Sequence, residues 1–526
     1  MVNAADQLAS QAGLSALQEG GSAADAVICA AAVMAVVGPH LCGLGGDCLA
    51  VVHRPGAQPM ALLGVGRAGS GVDAARMRAQ GHAVMPLRLD ARSVTIPGAV
   101  DGWLALHQRF GRLPLGTVLA PAIEYAEEGF AASIMLMLAS HLVAKIPGAE
   151  ELCPDGPLQP DAIVRLPGIA RTLRAIGEAG RDGFYGGEFG RALIALGDGV
   201  YTASDLASSI ADWCEPVQLH VWGHDLWTVP PPSQGYLTLA SSWVAEQTGI
   251  GSDLHDPLWA HLIVEATRAT GHDRPEVLFD GADGAALVAE QRLAQAAQRV
   301  SQERAAPSDV GGIAGAAGGL ANGDTTHLCA VDADGMGVTL TQSNALDFGS
   351  HLVAGSTGVF LHNRGVGFSL TEGHPAELAP GRRPPHTLSP MLATSSGGAL
   401  ALVIGAMGGD AQPQILLQLL ARMLRAGQDA ATAVAAARLA LDAPSAGPFR
   451  LWWGDDLRVQ MESHAPEGWF DGLSQRGHRV QPIRAFDPTT VGCAQIISVA
   501  TDDQGQRHHY AGAADPRNPE GGTSAY

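Results

Sequence analysis

The sequence predicts an α+β chain of stacked layers, and three observations predict it. Up to about Ile210 the text alternates Gly/Pro punctuation with helical periodicity; after Asn322 it turns to strand-like alternation; a Gly/Ala-rich stretch, SQERAAPSDVGGIAGAAGGLANG, stands between. That stretch, residues 301–323, has almost no large apolar side chain and the composition of a flexible linker. With 526 residues, 46% hydrophobic and 16% charged, the chain can bury a large core. A formal net charge of −20 argues against nucleic acid or an anionic membrane surface as partner, since both attract basic patches.

The elements follow in order. ADQLASQAGLSALQEGG reads as a helix that stops at a Gly pair, and SAADAVICAAAVMAVVG as a second helix capped by Ser22. The second is small and apolar all round, which predicts burial on every side; it is too short to span a bilayer. GPHLCGLGGDCLAVVHRPGAQPMALLGVG is a glycine turn with two strands. G-L-G-G invites a nucleotide-loop reading, but that fingerprint needs a strand before it and a helix after it, the reverse of the order here. Ser93 to Ser133 reads as helix, turn, helix, and more helices run to about Ile210. Next come a short strand region, the Pro-rich strand end TVPPPSQGYLTLASSWVAEQ leading into a helix, and LWAHLIVEATRATGHDRPEVLFDG as another helix. Past the linker, HLCAVDADGMGVTLTQS is a hairpin around DADG. ALALVIGAMGGDAQPQILLQLLARMLRAG is a strand, a glycine turn and a long amphipathic helix, and AQIISVATDDQGQRHHYAGAADPR is a second hairpin.

Seven cysteines at irregular spacing, with no C-x-x-C pair, read as reduced and mostly buried thiols of a cytoplasmic protein, and the start has no secretory pattern. The histidines, including His508 and His509, show no metal-ligand spacing, so neither metal nor cofactor is expected.

NGDTTHLCAVDADGMG places two threonines where the linker meets the hairpin. Taken locally, Thr325 and Thr326 begin a β-strand, where threonine is favoured. A cut just before Thr325 would do more: the freed α-amine, with a pKa of about 7.7–8.0, could act as base for the Thr325 hydroxyl. A flexible segment upstream suits such a cut, because the new end must leave the strand it feeds.

Nine landmarks in order carry a resemblance along nearly the whole chain: LASQAGLSALQEGGSAADAVICAA with GPHLCGLGGD, IPGAVDGWLALHQRFGRLPL with LAPAIEYAEEGF, PPPSQGY, VEATR with DRPEVLFD, GDTTH, FGSHLVAGSTGVFLHNRGVGFS, APGRRPPHTLSPML, GAMGGDAQPQ and GAADPR. On these the chain resembles the γ-glutamyltransferase family of autoprocessing N-terminal nucleophile hydrolases. The resemblance implies a four-layer αββα sandwich, a bond cut between Asp324 and Thr325, and subunits 1–324 and 325–526 that stay associated, with a homo-oligomer possible. It implies Thr325 as nucleophile, Ser343 as its supporting hydroxyl with Thr341 nearby, Gly408 and Gly409 as oxyanion donors, and Arg67 as a substrate-carboxylate anchor.

The departures bear on the substrate, a small-molecule amide. Where glutamyl-specific members of the family hold the substrate ammonium with an acidic residue, Gly367 stands, with Arg364 before it. The serine pair that assists carboxylate binding is replaced by His386 and Thr387, and Ala345 takes the place of an expected Asn, with Asn344 adjacent as a substitute. Loss of the acidic anchor removes a contact of about 1.5–3 kcal/mol. The expected acyl group therefore keeps a carboxylate and lacks an amine, as in oxamate or dicarboxylic acyl groups, with Arg67, Arg364 and His386 forming an anion-friendly pocket. A γ-glutamyl hydrolase or transferase is the alternative, and an unprocessed binding protein a third reading. SLTEGHPAELAPG is shorter than some family lid loops, which favours hydrolysis over transfer.

Overall fold

The computed structural model describes residues 1–307, 324–443, 456–501 and 507–526. Most of the linker, residues 308–323, lies outside the described residues, as does the turn of the C-terminal hairpin at 502–506. Two antiparallel sheets stack face to face between two helical layers. The first runs in the order Gly522–Ser524, Val2–Ala4, Asp324–Val331, Gly337–Ala345, Asp47–His53, Met60–Gly64, Asp212–Cys214. The second runs Arg507–Ala514, Cys493–Thr501, Leu400–Met407, Met391–Ser395, His224–Thr228, Val217–Val221. Each sheet mixes strands from both sides of the Asp324–Thr325 bond, so separating the two segments would expose the strand edges and inner faces of both sheets.

Period-two alternation makes the layers. In Asp47–His53, Leu49 and Val51 point between the sheets, where they meet Val403, Leu392, Trp227 and Ile497. Cys48, Ala50 and Val52 point outward to helices. Ala23–Val37 packs there with every residue buried, opened by a capping box in which Asp25 N–H donates to Ser22 Oγ and Ser22 N–H donates back to Asp25 Oδ2. Helices Tyr236–Gln247, Pro257–Gly271 and Gln412–Leu420 cover the second sheet. All seven cysteines are free, and all but Cys214 are buried. Among the described residues no helix is long and apolar enough to cross a membrane.

One element differs from its sequence pattern. Gln412–Leu420 is not half-exposed: every residue in it is buried, and a π-helical turn, Ala421–Arg425, continues it. Its polar positions face backbone instead of water. Gln412 and Gln414 accept from the Ser389 and Leu441 N–H groups, and Gln418 both accepts from Leu439 N–H and donates to Leu439 O. A buried amide whose oxygen accepts from backbone reads in the sequence like one that faces water.

Candidate active site

Alternation in Asp324–Val331 decides where Thr325 points. Cys329 and Val331 belong to the inter-sheet cluster, and Leu328 and Ala330 to the helix side. Thr325 shares the inward parity and is 1% exposed. His327, on the same face, seats its ring over Gly405 of the opposite sheet, where any Cβ would stand 2.3 Å away. Burial pushes His327 down to about 3, so this neutral ring, hydrogen-bonded to Thr341 at 3.0 Å, is a packing group.

The partner strand bulges opposite Thr325. Gln342 pairs with Thr326 and Ala345 with Asp324, which leaves Ser343 and Asn344 unmatched, and Ala345 takes φ 79°. The bulge turns Ser343 inward. Its Oγ accepts from Thr325 Oγ1 at 3.2 Å, from the Ala345 N–H at 2.8 Å and from an Arg364 terminal nitrogen at 3.0 Å. Asn344 is turned elsewhere: its amide donates to Pro39 O at 3.1 Å, and a Cβ on Gly46 would lie 2.8 Å from its Oδ1. G-L-G-G is thus the loop that closes over the bulge, with glycine required by that approach.

Arg364 is 2% exposed, on a 3₁₀ turn, Arg364–Gly367. Its other terminal nitrogen donates to Thr387 Oγ1 at 3.0 Å. Burial lowers it to about 10, still charged at neutral pH, while Asp47 and Asp410 favour its charge. Asp47, fully buried, accepts from the Gly66 and Gly98 N–H groups at 2.9 and 3.1 Å. Its other oxygen meets His386 Nε2 at 3.3 Å. Because Leu388 N–H donates to His386 Nδ1, the ring proton sits on Nε2 and points at Asp47. His362 donates through Nε2 to Thr95 O at 2.8 Å and turns Nδ1 toward Asp47 at 3.6 Å. Burial opposes the Asp47 charge, but His362, His386 and Arg364 hold its carboxyl well below the usual range. Burial also drives His386 down to about 3.

Gln234 joins this cluster to the glycine turn, donating to Thr387 O at 2.9 Å and Gly409 O at 3.1 Å. Gly408 and Gly409 have φ 142° and 53°, conformations only glycine adopts without strain. Asp410 follows and pairs with Arg274 at 2.5 Å. Beside it a cavity of about 270 Å³ is lined by Arg274, Val366, Gly367, Phe368, His374 and Pro385.

The structure thus brings Thr325, Ser343, Arg364, Thr387 and His386 together, with Gly409 one side chain away. It does not bring the Arg67 guanidinium into that set. Arg67 is about one-third exposed, donates to Gly381 O at 3.0 Å, and pairs with Asp212 at 3.2 Å and Asp280 at 3.7 Å. Nor do Arg364 and His386 form a free cationic pocket: one is spent on two hydroxyls, and the other is neutral and bound to Asp47. Asp47, His362 and Gln234 were missed by sequence reasoning. Asp47 ends the glycine loop, yet its partners at Gly66 and His386 lie 19 and 339 positions away, beyond any local pattern. Among the described residues no group of three or more His, Cys, Asp or Glu is placed to hold a metal.

Residues 9–525 match the family profile described as Gamma-glutamyltranspeptidase. The glutathione hydrolase-like YwrD proenzyme of Bacillus subtilis is 32% identical, over 98% of this chain and 97% of its own. The oxamate amidohydrolase proenzyme of Klebsiella pneumoniae is also 32% identical, with the same coverage of both chains. Cephalosporin acylase from Bacillus halodurans superimposes with a TM-score of 0.87 at 28% identity, covering 100% of this chain and 95% of that one.

Proposed function

The chain belongs to the gamma-glutamyltranspeptidase family and is an N-terminal nucleophile enzyme; from that premise we propose that it cuts itself before Thr325 and hydrolyses amides whose acyl group bears a carboxylate. In the cut, Thr325 Oγ1 attacks the Asp324 carbonyl and the peptide C–N bond is exchanged for an ester. Water then hydrolyses the ester, leaving a carboxylate on Asp324 and a free amine on Thr325. Segments 1–324 and 325–526 stay together because they share both sheets.

In turnover, the Thr325 amine takes the hydroxyl proton as Oγ1 attacks the substrate carbonyl. Gly408 and Gly409 N–H groups receive the oxyanion, the amine proton passes to the leaving group, and water releases the acyl group. Arg67 is the carboxylate anchor: it is the one cation of the sequence-predicted set that reaches solvent, and a substrate carboxylate can exchange for Asp212, which keeps Arg383 at 2.6 Å.

The observation that carries the substrate class is Gly367 at the edge of the cavity: among the described residues that line it none is acidic, and Asp410 beside it is paired with Arg274. Similarity to the oxamate amidohydrolase and the acylase supports it. The YwrD relative, equally similar, keeps γ-glutamyl hydrolysis as the second reading. A denaturing gel with mass spectrometry is expected to show fragments starting at Met1 and Thr325. Processed enzyme is then assayed on oxamate, a glutaryl anilide and a γ-glutamyl anilide. At least tenfold higher kcat/KM on an amine-free acyl group supports the proposal, and turnover of the glutamyl compound alone overturns it.

A further inference from the structure

Arg364 stands where a substrate anion could be expected, yet its geometry assigns it other work. Both terminal nitrogens are occupied, one by Ser343 Oγ and one by Thr387 Oγ1, each at 3.0 Å. Ser343 Oγ in turn lies 3.2 Å from Thr325 Oγ1, so a buried positive charge sits one hydroxyl from the proposed nucleophile. Among the described residues no carboxylate comes within ion-pair distance of Arg364. The charges that act on it are Asp47, which the His386 and His362 rings contact, and Asp410, itself paired with Arg274. The His386 ring is neutral: its proton points at Asp47 and its Nδ1 accepts from the Leu388 N–H.

Resting on the reading that Thr325 is the N-terminal nucleophile, we infer that Arg364 and Asp47 form an opposed pair of positioning residues that sets the pH at which the Thr325 amine becomes a usable base. The fixed cation disfavours a second positive charge on the amine and so frees its lone pair at lower pH. Arg364 stays charged at neutral pH, and Asp47 offsets part of its field. The two carry opposite signs, so their removal has opposite effects.

The Thr325 amine of processed wild-type enzyme is titrated by the pH dependence of its carbamoylation with cyanate, read as mass on the 325–526 fragment. The expected pKa is at least about one unit below the ordinary 7.7–8.0. Arg364→Gln is expected to raise it by about one unit and move the acidic limb of kcat/KM the same way, with Arg364→Lys restoring most of the shift. Asp47→Asn is expected to move both downward. A wild-type amine at or above the ordinary value, or variants that leave it unchanged or shift it in one common direction, overturns the inference. The wild-type titration stands even if a variant fails to process. An uncut wild-type chain would instead refute the nucleophile reading itself.

Discussion

Two arginines serve the same proposed chemistry from opposite environments. Arg67 lies about one-third exposed among Asp212, Asp280 and the Gly381 carbonyl, on a rim where carboxylates already compete for it. Arg364 is buried, gives its nitrogens to two hydroxyls, and has its balancing charge held back at Asp47. A cation that reaches water can trade one carboxylate for another at little cost, since it is never stripped of partners. A buried one cannot, because freeing it would leave a desolvated charge. The first can therefore recognise substrate, and the second can only shape the field around groups already placed.

Both arginines act on one proposed nucleophile, so the largest effect is expected of Thr325→Ala. That variant is expected to remain a single full-length band and to show no amidase activity; cleavage at the usual position would break the scheme. Next, Gly408→Ala is expected to lower kcat by about 10²–10³, because a side chain forced to φ 142° displaces the backbone N–H that receives the oxyanion. A loss of thermal stability alone, with kcat retained, would remove the glycine turn from the chemistry. Arg67→Ala sharpens the contrast directly. It should raise KM for a carboxylate-bearing acyl amide by about 10–100-fold with kcat changed only a few-fold, and leave KM for an uncharged acyl amide unmoved.

A weaker effect comes from the buried rings. Burial puts His327 and His386 near 3 and His40 and His351 near 4, all below their ordinary 6.5. Below about pH 6.5 the unfolded chain takes up protons that the folded chain refuses, so stability is full above that pH and declines as pH falls toward 4 and 3. Calorimetry should show Tm flat between about pH 7 and 8 and dropping steadily below 6.5. Smallest of all, Asn344→Ala should cost about 1 kcal/mol of stability through the lost Pro39 contact while kcat/KM stays within a few-fold, and a large KM effect would return Asn344 to the substrate.

Much of the architecture was legible because it is written locally. The N-cap at Ser22 and the hairpin turn ending at Gly335 with φ 81° follow from residues a few places apart. The misread helix at Gln412 shows the limit: glutamines that face backbone look, in sequence, like glutamines that face water. The site was legible only in part. Thr325, Ser343 and the glycine turn could be marked by resemblance, whereas Asn344 faces the glycine loop because a bulge, invisible in composition, sets its side chain on the other face.

By itself the sequence determined the alternation of layers, the hairpin that presents Thr325 and the glycines that let backbone approach backbone, since periods of two and 3.6 residues and turn chemistry act over short spans. Tertiary structure alone decided which arginine is wet and which is buried, that Asp47 sits behind His386, and that both segments share each sheet. Those outcomes depend on groups far apart in the chain, Asp47 and His386 by 339 positions, meeting in one dry place where distance and desolvation, not residue type, set what a charge can do.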